Sequence, residues 1–291
     1  MYDKTCSSFI LEALGWQVIV PTAPLCCGRP LYDFGMLDQA KRLLGHILTT
    51  LRSDIDDGTP MVGLEPSCVA VFRDELTNLF PHDQTARRLS RQTFTLAEFL
   101  QTHASNAVIP SLQAEAIVHG HCHQKAVMKL DAEQELLGKL GLDFTILDSG
   151  CCGMAGSFGF KREHFHTSLK VGNLVLLPAV RMAAKETLIV ADGFSCREQI
   201  RQSTDRRGLH LAELLHLAMQ NAIDRGQGIS DGTSSRSAYP EKSYFTRNPI
   251  ASRSTPLSLG VSALLGVSAL LIGMAVMKRS RGRSVGRRPG R

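Results

Sequence analysis

The stretch LDSGCCGMAGSFGF, residues 147–160, decides the fold, because its Cys-Cys-Gly centre recurs 125 residues upstream, as Cys26-Cys27-Gly28. Two further segments recur in the same order. Pro66-Ser67-Cys68 returns as Phe194-Ser195-Cys196, and LAEFL at residues 96–100 returns as LAELL at residues 211–215. A fixed order at nearly constant spacing indicates an internal repeat, so the chain contains two copies of one unit.

Both copies predict the same alternation of strands and helices. In the first copy, a β-rich run at 16–20 leads into Cys-Cys-Gly, a helical stretch covers 33–51, and a short strand at 61–64 ends at Ser-Cys. The second copy repeats these segments at 144–147, 162–184 and 187–190. Such alternation is typical of βαβ units with parallel strands. We therefore predict an α/β fold of two pseudo-repeated βαβ modules, followed by a C-terminal apolar helix.

The second copy has an additional leading strand at 116–118, which runs into His119-Gly120-His121-Cys122-His123 and a helix over 124–140. Cys122 precedes Cys151 by 29 residues, and the same offset before Cys26 falls ahead of Met1. The first module is therefore expected to be N-terminally incomplete. Cys6 lies on a helix-like segment, 6–14, and is predicted to be a buried apolar thiol instead of a ligand.

The composition changes toward the C-terminus and suggests five segments. They are a first cysteine-rich module at 1–110, a second at 111–220, a linker at 221–256, an apolar transmembrane or membrane-associated helix at 257–277, and a basic tail at 278–291. The apolar segment has 21 uncharged residues, about the length that spans a bilayer, although a buried or disordered apolar segment is the alternative.

The net charge of +6 comes from the tail, which has seven basic residues and no acidic ones. The rest of the chain is therefore close to neutral, which argues against a nucleic-acid binder. No basic segment followed by an apolar run opens the chain, so a reducing compartment is expected. We predict a protein on the cytoplasmic face of a membrane, with the tail contacting anionic headgroups. The positive-inside rule alone favours the opposite orientation.

Four cysteines of the second module are predicted to share one cofactor. Parallel strands end at one edge of a sheet, and this is the edge where open α/β sheets bind ligands. Cys122, Cys151, Cys152 and Cys196 each follow such a strand end. Four thiolates bind an iron–sulfur cluster or zinc. Zinc usually takes paired C-x-x-C ligands, which the chain lacks, and adjacent cysteines suit two irons, so a 4Fe-4S cluster is favoured.

Two alternatives to the cluster stay open. One is a zinc-stabilised, membrane-anchored interaction module without redox activity. The other is a thiol–disulfide enzyme that uses Cys151-Cys152 as its redox pair, which is disfavoured because adjacent cysteines form strained disulfides.

The remaining candidate residues have several possible roles. Alternation along an extended strand end would place His119, His121 and His123 on one side and Cys122 on the other. The histidines are proton carriers for a quinone, ligands of a second metal, or donors that tune the cluster from outside its ligand shell. The first module supplies only three cysteines, which are Cys26, Cys27 and Cys68. They could bind an incomplete cluster, join a site that is shared between the modules, or be partly vestigial.

Residues 11–217 resemble the cysteine-rich CCG domain of glycolate oxidase iron–sulfur subunits, of fused D-lactate dehydrogenases and, more distantly, of one heterodisulfide reductase subunit. The resemblance lies in LCCGRPLYDFGMLDQA, GLEPSC, HGHCHQKA, LDSGCCGMAGSFGF and ADGFSCREQI. It implies an oxidoreductase component whose cysteines bind an iron–sulfur cluster. A partner subunit or domain would carry FAD and oxidise the hydroxy acid, and electrons would pass toward quinone.

Two departures from the family pattern limit these implications. The heterodisulfide reductase pattern ends each half in C-x-x-C, whereas Glu65 and Gly193 occupy the first of these positions. The chain also has neither a flavin domain nor the cysteine runs that hold ferredoxin-type clusters. We therefore expect a C-terminal piece of the larger enzyme that is inactive toward the substrate without a flavin partner.

Overall fold

The computed structural model describes residues 2–226, 239–247 and 274–279. The first module contains α1 (Tyr2–Ala13), β1 (Trp16–Ile19), α2 (Arg29–Asp33), α3 (Leu37–Thr50), α4 (Arg52–Asp56), β2 (Met61–Gly63), α5 (Pro66–Arg73), α6 (Glu75–Leu79), α7 (Gln84–Gln92), β3 (Thr93–Thr95) and α8 (Leu96–His103). The second contains β4 (Glu115–Val118), a π-helix (Gln124–Met128), α9 (Asp131–Lys139), β5 (Asp143–Ile146), two 3₁₀ turns (Phe158–Phe160 and Arg162–His164), α10 (Phe165–Gly172), α11 (Leu176–Met182), β6 (Leu188–Val190), α12 (Phe194–Ser203) and α13 (Leu211–Gly226). The helix α14 (Pro240–Arg247) and the strand β7 (Met274–Arg279) follow.

The sheet of the second module is parallel, as predicted. Its order is β5-β4-β6, with Ile117 of the central strand facing Thr145 on one side and Ile189 on the other. A single parallel bridge from Val190 to Leu209 extends the sheet beyond β6. The mixed α/β class is therefore confirmed, and the three strand ends that precede the cysteines lie at one edge.

The sheet of the first module contains a strand that the sequence did not predict. Its order is β1-β7-β2-β3, and β7 pairs antiparallel with both β1 and β2, while β2 and β3 are parallel. The prediction of an apolar helix at 257–277 is wrong for residues 274–277, which form this strand, and residues 257–273 lie outside the described part of the chain. The backbone groups of β1 and β2 find partners in β7, which explains why this short run is extended.

The C-terminal region differs from expectation in two other ways. Helix α13 continues to Gly226, and α14 lies inside the stretch expected as a linker. Within the described ranges, no helix is both long and apolar enough to cross a bilayer.

The long helical stretches predicted from periodicity are interrupted. The stretch 33–51 is divided between α2 and α3 at Gly35, whose φ of 72° is left-handed. The stretch 124–140 breaks at Lys129, with a φ of 71°, and the stretch 162–184 breaks between α10 and α11. Periodicity indicates the buried face of each stretch, whereas the local backbone determines where the helix ends.

The repeated LAE motif has a structural cause. Helix α8 begins with a capping box, in which the Thr95 side chain accepts from Glu98 N and the Thr95 N–H donates to Glu98 Oε2 at 2.8 Å. Helix α13 begins in the same way, because the His210 N–H donates to Glu213 Oε2 at 2.8 Å. The repeated glutamate therefore starts the corresponding helix in each module.

Residues of both predicted modules share the largest apolar core, which packs α1, α8 and α13 against the sheets. Cys6 belongs to this core with 7% exposure, and its Sγ lies 3.3 Å from the Tyr244 hydroxyl. The prediction that Cys6 is a buried thiol is confirmed. The boundaries at 110 and 220 stay predictions.

Candidate metal centre

Three neighbouring loops bring the cysteines of the second module together. Cys122 follows β4 just before the π-helix, Cys151 and Cys152 follow β5, and Cys196 lies in the first turn of α12 after β6. Cys152 and Cys196 are buried, whereas Cys122 and Cys151 are half-buried. The four thiols are free and lie at the carboxyl edge of the parallel sheet, where the sequence predicted them.

The four thiols interact in a chain, from Cys122 to Cys151, to Cys152, to Cys196. The hydrogen bond to Cys151, together with burial, raises the pKa of Cys122, and the hydrogen bonds from Cys122 and Cys152 lower the pKa of Cys151. At the buried end of the chain, the hydrogen bond from Cys152 and the neighbouring His119 lower the pKa of Cys196. Sulfur atoms this close share protons with each other, and a metal that replaces the protons would hold all four as thiolates.

His119 lies at the buried end of this chain. Its Nδ1 is 2.7 Å from Ser149 Oγ, and its Nε2 is buried without a hydrogen-bond partner among the described residues. One imidazole nitrogen of His119, Cys152 Sγ and Cys196 Sγ all lie within 4.8 Å of one another. His119 thus belongs with the thiols that are farthest from solvent.

The predicted separation of Cys122 from the histidines is wrong. Cys122 Sγ and one nitrogen each of His121 and His123 lie within 4.8 Å of one another. The reason is that β4 ends at Val118, so the alternation of an extended strand stops before these residues. The rings of His121 and His123 stack at 5.3 Å, and the His123 N–H donates to His121 Nδ1. Burial, the largest cause, and the neighbouring His121 lower the pKa of His123.

The cysteines of the first module form a second group of thiols. Cys27 Sγ donates to Cys68 Sγ at 3.2 Å, and Cys26 hydrogen-bonds Cys27. Cys27 and Cys68 are buried, and Cys26 is half-buried. The hydrogen bond to Cys27 and burial raise the pKa of Cys26. The structure therefore brings this trio together, as a group of three thiols instead of four.

Glu65, which sequence analysis noted only as a departure from the family pattern, connects the two modules. It caps α5 by accepting from the Ser67 N–H, and the same oxygen accepts from the Ser67 hydroxyl at 2.8 Å. Its other oxygen accepts from the Phe194 N–H at the start of α12, at 2.8 Å. His121 Nε2 is 4.0 Å from Glu65 Oε1, the oxygen that accepts from Ser67. The pseudo-equivalent residue, Gly193, leaves room for this histidine, because a β-carbon at Gly193 would overlap the imidazole of His121.

A cleft of about 370 Å³, partly open to solvent, lies between the modules and reaches the half-buried thiols. Its lining includes Arg29, Asp33 and Ser67 of the first module and His123, Cys151 and Ser195 of the second. The Arg29 guanidinium forms ion pairs with Asp33 and Glu75. Sequence analysis missed Arg29 and Glu75, and the only signal was that Arg29 directly follows the first Cys-Cys-Gly.

Gly153 determines how the Cys-Cys-Gly loop passes α10. Its φ of 98° is left-handed, and a β-carbon there would overlap the carbonyl oxygen of Ser168. The Gly153 N–H donates to Cys151 Sγ at 3.3 Å, which favours the thiolate. Only glycine allows both the turn and the close approach of the loop to the helix.

The donor set fits an iron–sulfur cluster. Thiolate sulfur is the usual protein ligand of these clusters, and imidazole replaces it in some of them. The orphaned Nε2 of His119, buried beside two thiols, is the kind of atom that a bound group would satisfy. The same donors also suit zinc.

Residues 117–201 match the family model described as the CCG cysteine-rich domain. This segment of the chain is therefore a cysteine-rich domain of the CCG family, and it contains the four cysteines of the centre described above.

Three relatives match between 65% and 72% of this chain. One subunit of the anaerobic glycerol-3-phosphate dehydrogenase of Escherichia coli (strain K12) is 30% identical over 214 residues, which cover 72% of this chain and 53% of that protein. Lactate utilization protein A of Bacillus subtilis (strain 168) is 29% identical over 221 residues, 71% of this chain and 89% of that protein. D-2-hydroxyglutarate dehydrogenase of Pseudomonas putida is 26% identical over 190 residues, 65% of this chain and 18% of that protein. The chain thus spans about half the length of the first relative.

Proposed function

We propose that this protein is the iron–sulfur electron-transfer component of a flavin-linked 2-hydroxy-acid oxidoreductase of the glycolate or D-lactate type. The observation that carries the proposal is the convergence of Cys122, Cys151, Cys152 and Cys196 at one sheet edge, in a domain of the CCG family. Two of the three relatives described above are named as dehydrogenases or dehydrogenase subunits, which supports an oxidoreductase component.

The proposed cofactor is a 4Fe-4S cluster held by these four cysteines. When bound, it would accept and release one electron at a time. The residues of the chain orient the thiols and control their exposure. Burial of Cys152 and Cys196 shields one side from water, and the half-buried Cys122 and Cys151 leave the other side open to the cleft. A cleft that reaches the cofactor is a suitable place for electrons to enter or leave.

The proposed substrate class follows from the names of two relatives. Lactate and D-2-hydroxyglutarate are both 2-hydroxy acids, whereas glycerol 3-phosphate is a secondary alcohol without the carboxylate. Oxidation of the hydroxyl group would take place on FAD in a partner subunit, which passes electrons to this chain, and the chain would have no such activity alone. We propose quinone as the acceptor and the cytoplasmic face of a membrane as the location.

Metal and sulfide analysis after anaerobic purification tests the proposal. We expect iron and acid-labile sulfide in equal amounts and an electron paramagnetic resonance signal on reduction. Cys196→Ser should lose most of both, because it removes a buried donor. Cys6→Ser is the matched control, since Cys6 is also buried but lies in the apolar core, and it should keep them. A folded wild-type protein without iron would contradict the proposal.

One alternative function has an observation in its favour. The buried group of His119, Cys152 and Cys196 resembles part of a zinc site with mixed cysteine and histidine ligands. A zinc-stabilised interaction module would contain stoichiometric zinc and no sulfide, so the same analysis separates the two functions.

A further inference from the structure

We infer that His119 is a direct ligand of the metal centre and binds it through Nε2, beside Cys152 and Cys196. The inference rests on the proposed function, because it assigns a ligand of the proposed iron–sulfur centre. Each iron of a 4Fe-4S cluster takes one protein ligand, so His119 would fill one of the four positions, beside the buried thiols of Cys152 and Cys196 and in place of one half-buried cysteine.

The first observation is the burial of His119 together with an unused nitrogen. The residue is 2% exposed, and Nε2 has no hydrogen-bond partner among the residues that the structure describes. Leaving a buried polar nitrogen unsatisfied forfeits the hydrogen bond that it made to water, so proteins seldom do so without a reason. The nearby sulfur atoms of Cys152 and Cys196 indicate which kind of group would use this nitrogen.

The second observation is the tautomer of the ring. Ser149 Oγ lies 2.7 Å from His119 Nδ1 and 3.5 Å from the carbonyl oxygen of Leu147, which is a second acceptor for the serine hydrogen. With the hydroxyl directed at that carbonyl, the serine oxygen accepts from Nδ1–H. A neutral imidazole protonated at Nδ1 has its free lone pair at Nε2, which is the form that binds metals.

Ser149 therefore has the role that outer-shell residues have at many metal sites. A histidine ligand almost always donates its second ring N–H to an oxygen, which fixes both the tautomer and the ring orientation. Ser149 is itself 3% exposed, and its backbone carbonyl accepts from Lys125 Nζ. The serine is thus fixed in place beside the Cys-Cys-Gly loop and can orient the imidazole.

His121 and His123 do not meet the same conditions. His121 Nδ1 accepts from the His123 N–H, and its Nε2 faces the Glu65 carboxylate at 4.0 Å. His123 also has a ring nitrogen without a hydrogen-bond partner among the described residues, Nδ1, but the residue is only half-buried and lies at the cleft. His119 is the histidine of the motif that is both deeply buried and grouped with the two buried cysteines.

Pulsed electron paramagnetic resonance on the reduced protein tests the inference without any substitution. The protein is purified anaerobically from cells fed with ¹⁴N- or ¹⁵N-histidine. We expect a histidine nitrogen coupling of the size found for directly bound imidazole, which changes with the isotope. It should disappear in His119→Gln and persist in His121→Gln, in His123→Gln and in the control His82→Gln, whose side chain is exposed.

Retention of iron gives a second readout. Ser149→Ala should keep the coupling but lose iron to a chelator about 10–100 times more readily, because outer-shell partners typically contribute that much to metal affinity. An intact cluster without a histidine coupling in the wild-type protein would overturn the inference and leave the proposed function standing. A wild-type protein with no iron and sulfide would overturn both.

Discussion

The carboxylate of Glu65 in the first module accepts a hydrogen bond from the backbone N–H of Phe194 in the second module, at 2.8 Å. Glu65 also caps α5, which carries Cys68, and Phe194 opens α12, which carries Cys196. One side chain therefore contacts the N-termini of two cysteine-bearing helices. The negative charge is favourable there because both helix ends present unpaired N–H groups.

We expect Glu65→Ala to destabilise the protein by about 1–3 kcal/mol, because it leaves the N–H groups of Ser67 and Phe194 without their acceptor. Glu65→Gln should cost less, since its amide oxygen can still accept one of the two bonds. Urea unfolding measures the difference, with Glu186→Ala as an exposed control. If Glu65→Ala lost no more stability than Glu186→Ala, the bonds from Glu65 to the two helices would not matter.

The convergence of the thiols could be predicted from the sequence because it depends on topology. Parallel strands place their ends at one edge, and each repeated cysteine follows a strand end. The role of Glu65 could not be predicted in this way. It is adjacent to Phe194 only because the modules pack against each other, and neither residue shows a local pattern that reveals the packing.

Strand β7 is a second feature that the sequence alone could not predict. In the second sheet, β4 lies between β5 and β6, and in the first sheet β7 lies between β1 and β2. Among the described residues, the element that precedes β1 is the helix α1. Local hydrophobicity could not indicate that Met274–Arg279 occupies the corresponding central position, because an uncharged apolar run is compatible with either a helix or a buried strand.

Gly153→Ala should disrupt the Cys-Cys-Gly loop. Alanine is strained at a φ of 98°, and its β-carbon would overlap the Ser168 carbonyl, so we expect a loss of about 3 kcal/mol or more. Gly150→Ala is the matched control, because Gly150 has space for a β-carbon and no left-handed φ. Thermal unfolding and iron content are the measurements. If both variants behaved alike, the close approach of the loop to α10 would be unimportant.

The thiol trio of the first module should contribute less to metal binding than the four thiols of the second. Three donors are one fewer than a 4Fe-4S cluster usually takes. We expect Cys27→Ser to lower the iron content of the anaerobically purified protein less than Cys152→Ser does. The two cysteines are a fair comparison, because both are buried and precede the glycine of the same motif. An equal loss of iron would show that the trio holds a centre of its own or shares one.

The buried ion pair of Arg206 and Glu241 holds α14 against the body of the protein. Their side chains are 2% and 0% exposed, and Arg206 Nε lies 2.6 Å from Glu241 Oε1. Glu241→Gln should destabilise the protein by about 3–5 kcal/mol, because it leaves the guanidinium buried without its counter-charge. The ion pair of Arg201 and Glu198 is more exposed and serves as the control. Breaking it with Arg201→Ala should change the free energy of unfolding by about 1 kcal/mol or less. Urea unfolding of the two variants checks the contrast, which would be absent if α14 were loosely attached.

Glu133 should make the protein less stable as the pH rises. Burial, the largest cause, and the nearby Asp192 raise the pKa of Glu133 well above 4.5, although Gln124 donates a hydrogen bond to it. Between pH 4.5 and the raised value, the folded protein keeps a proton that the unfolded chain has lost. The free energy of unfolding then falls with increasing pH, by at most about 1.4 kcal/mol per pH unit.

Glu133→Gln removes this titration, so its stability relative to the wild type should increase as the pH is raised from 4.5 to 8. Thermal unfolding at several pH values measures the difference. The control is Glu135→Gln in the same helix, whose carboxylate is exposed and has its pKa lowered by hydrogen bonds from Lys139 and Gln101. That variant should show no such gain at high pH, because its wild-type carboxylate is more readily ionised in the folded state. A constant difference between Glu133→Gln and the wild type would mean that Glu133 is ionised in the folded protein, with Gln124 and its surroundings compensating for its burial.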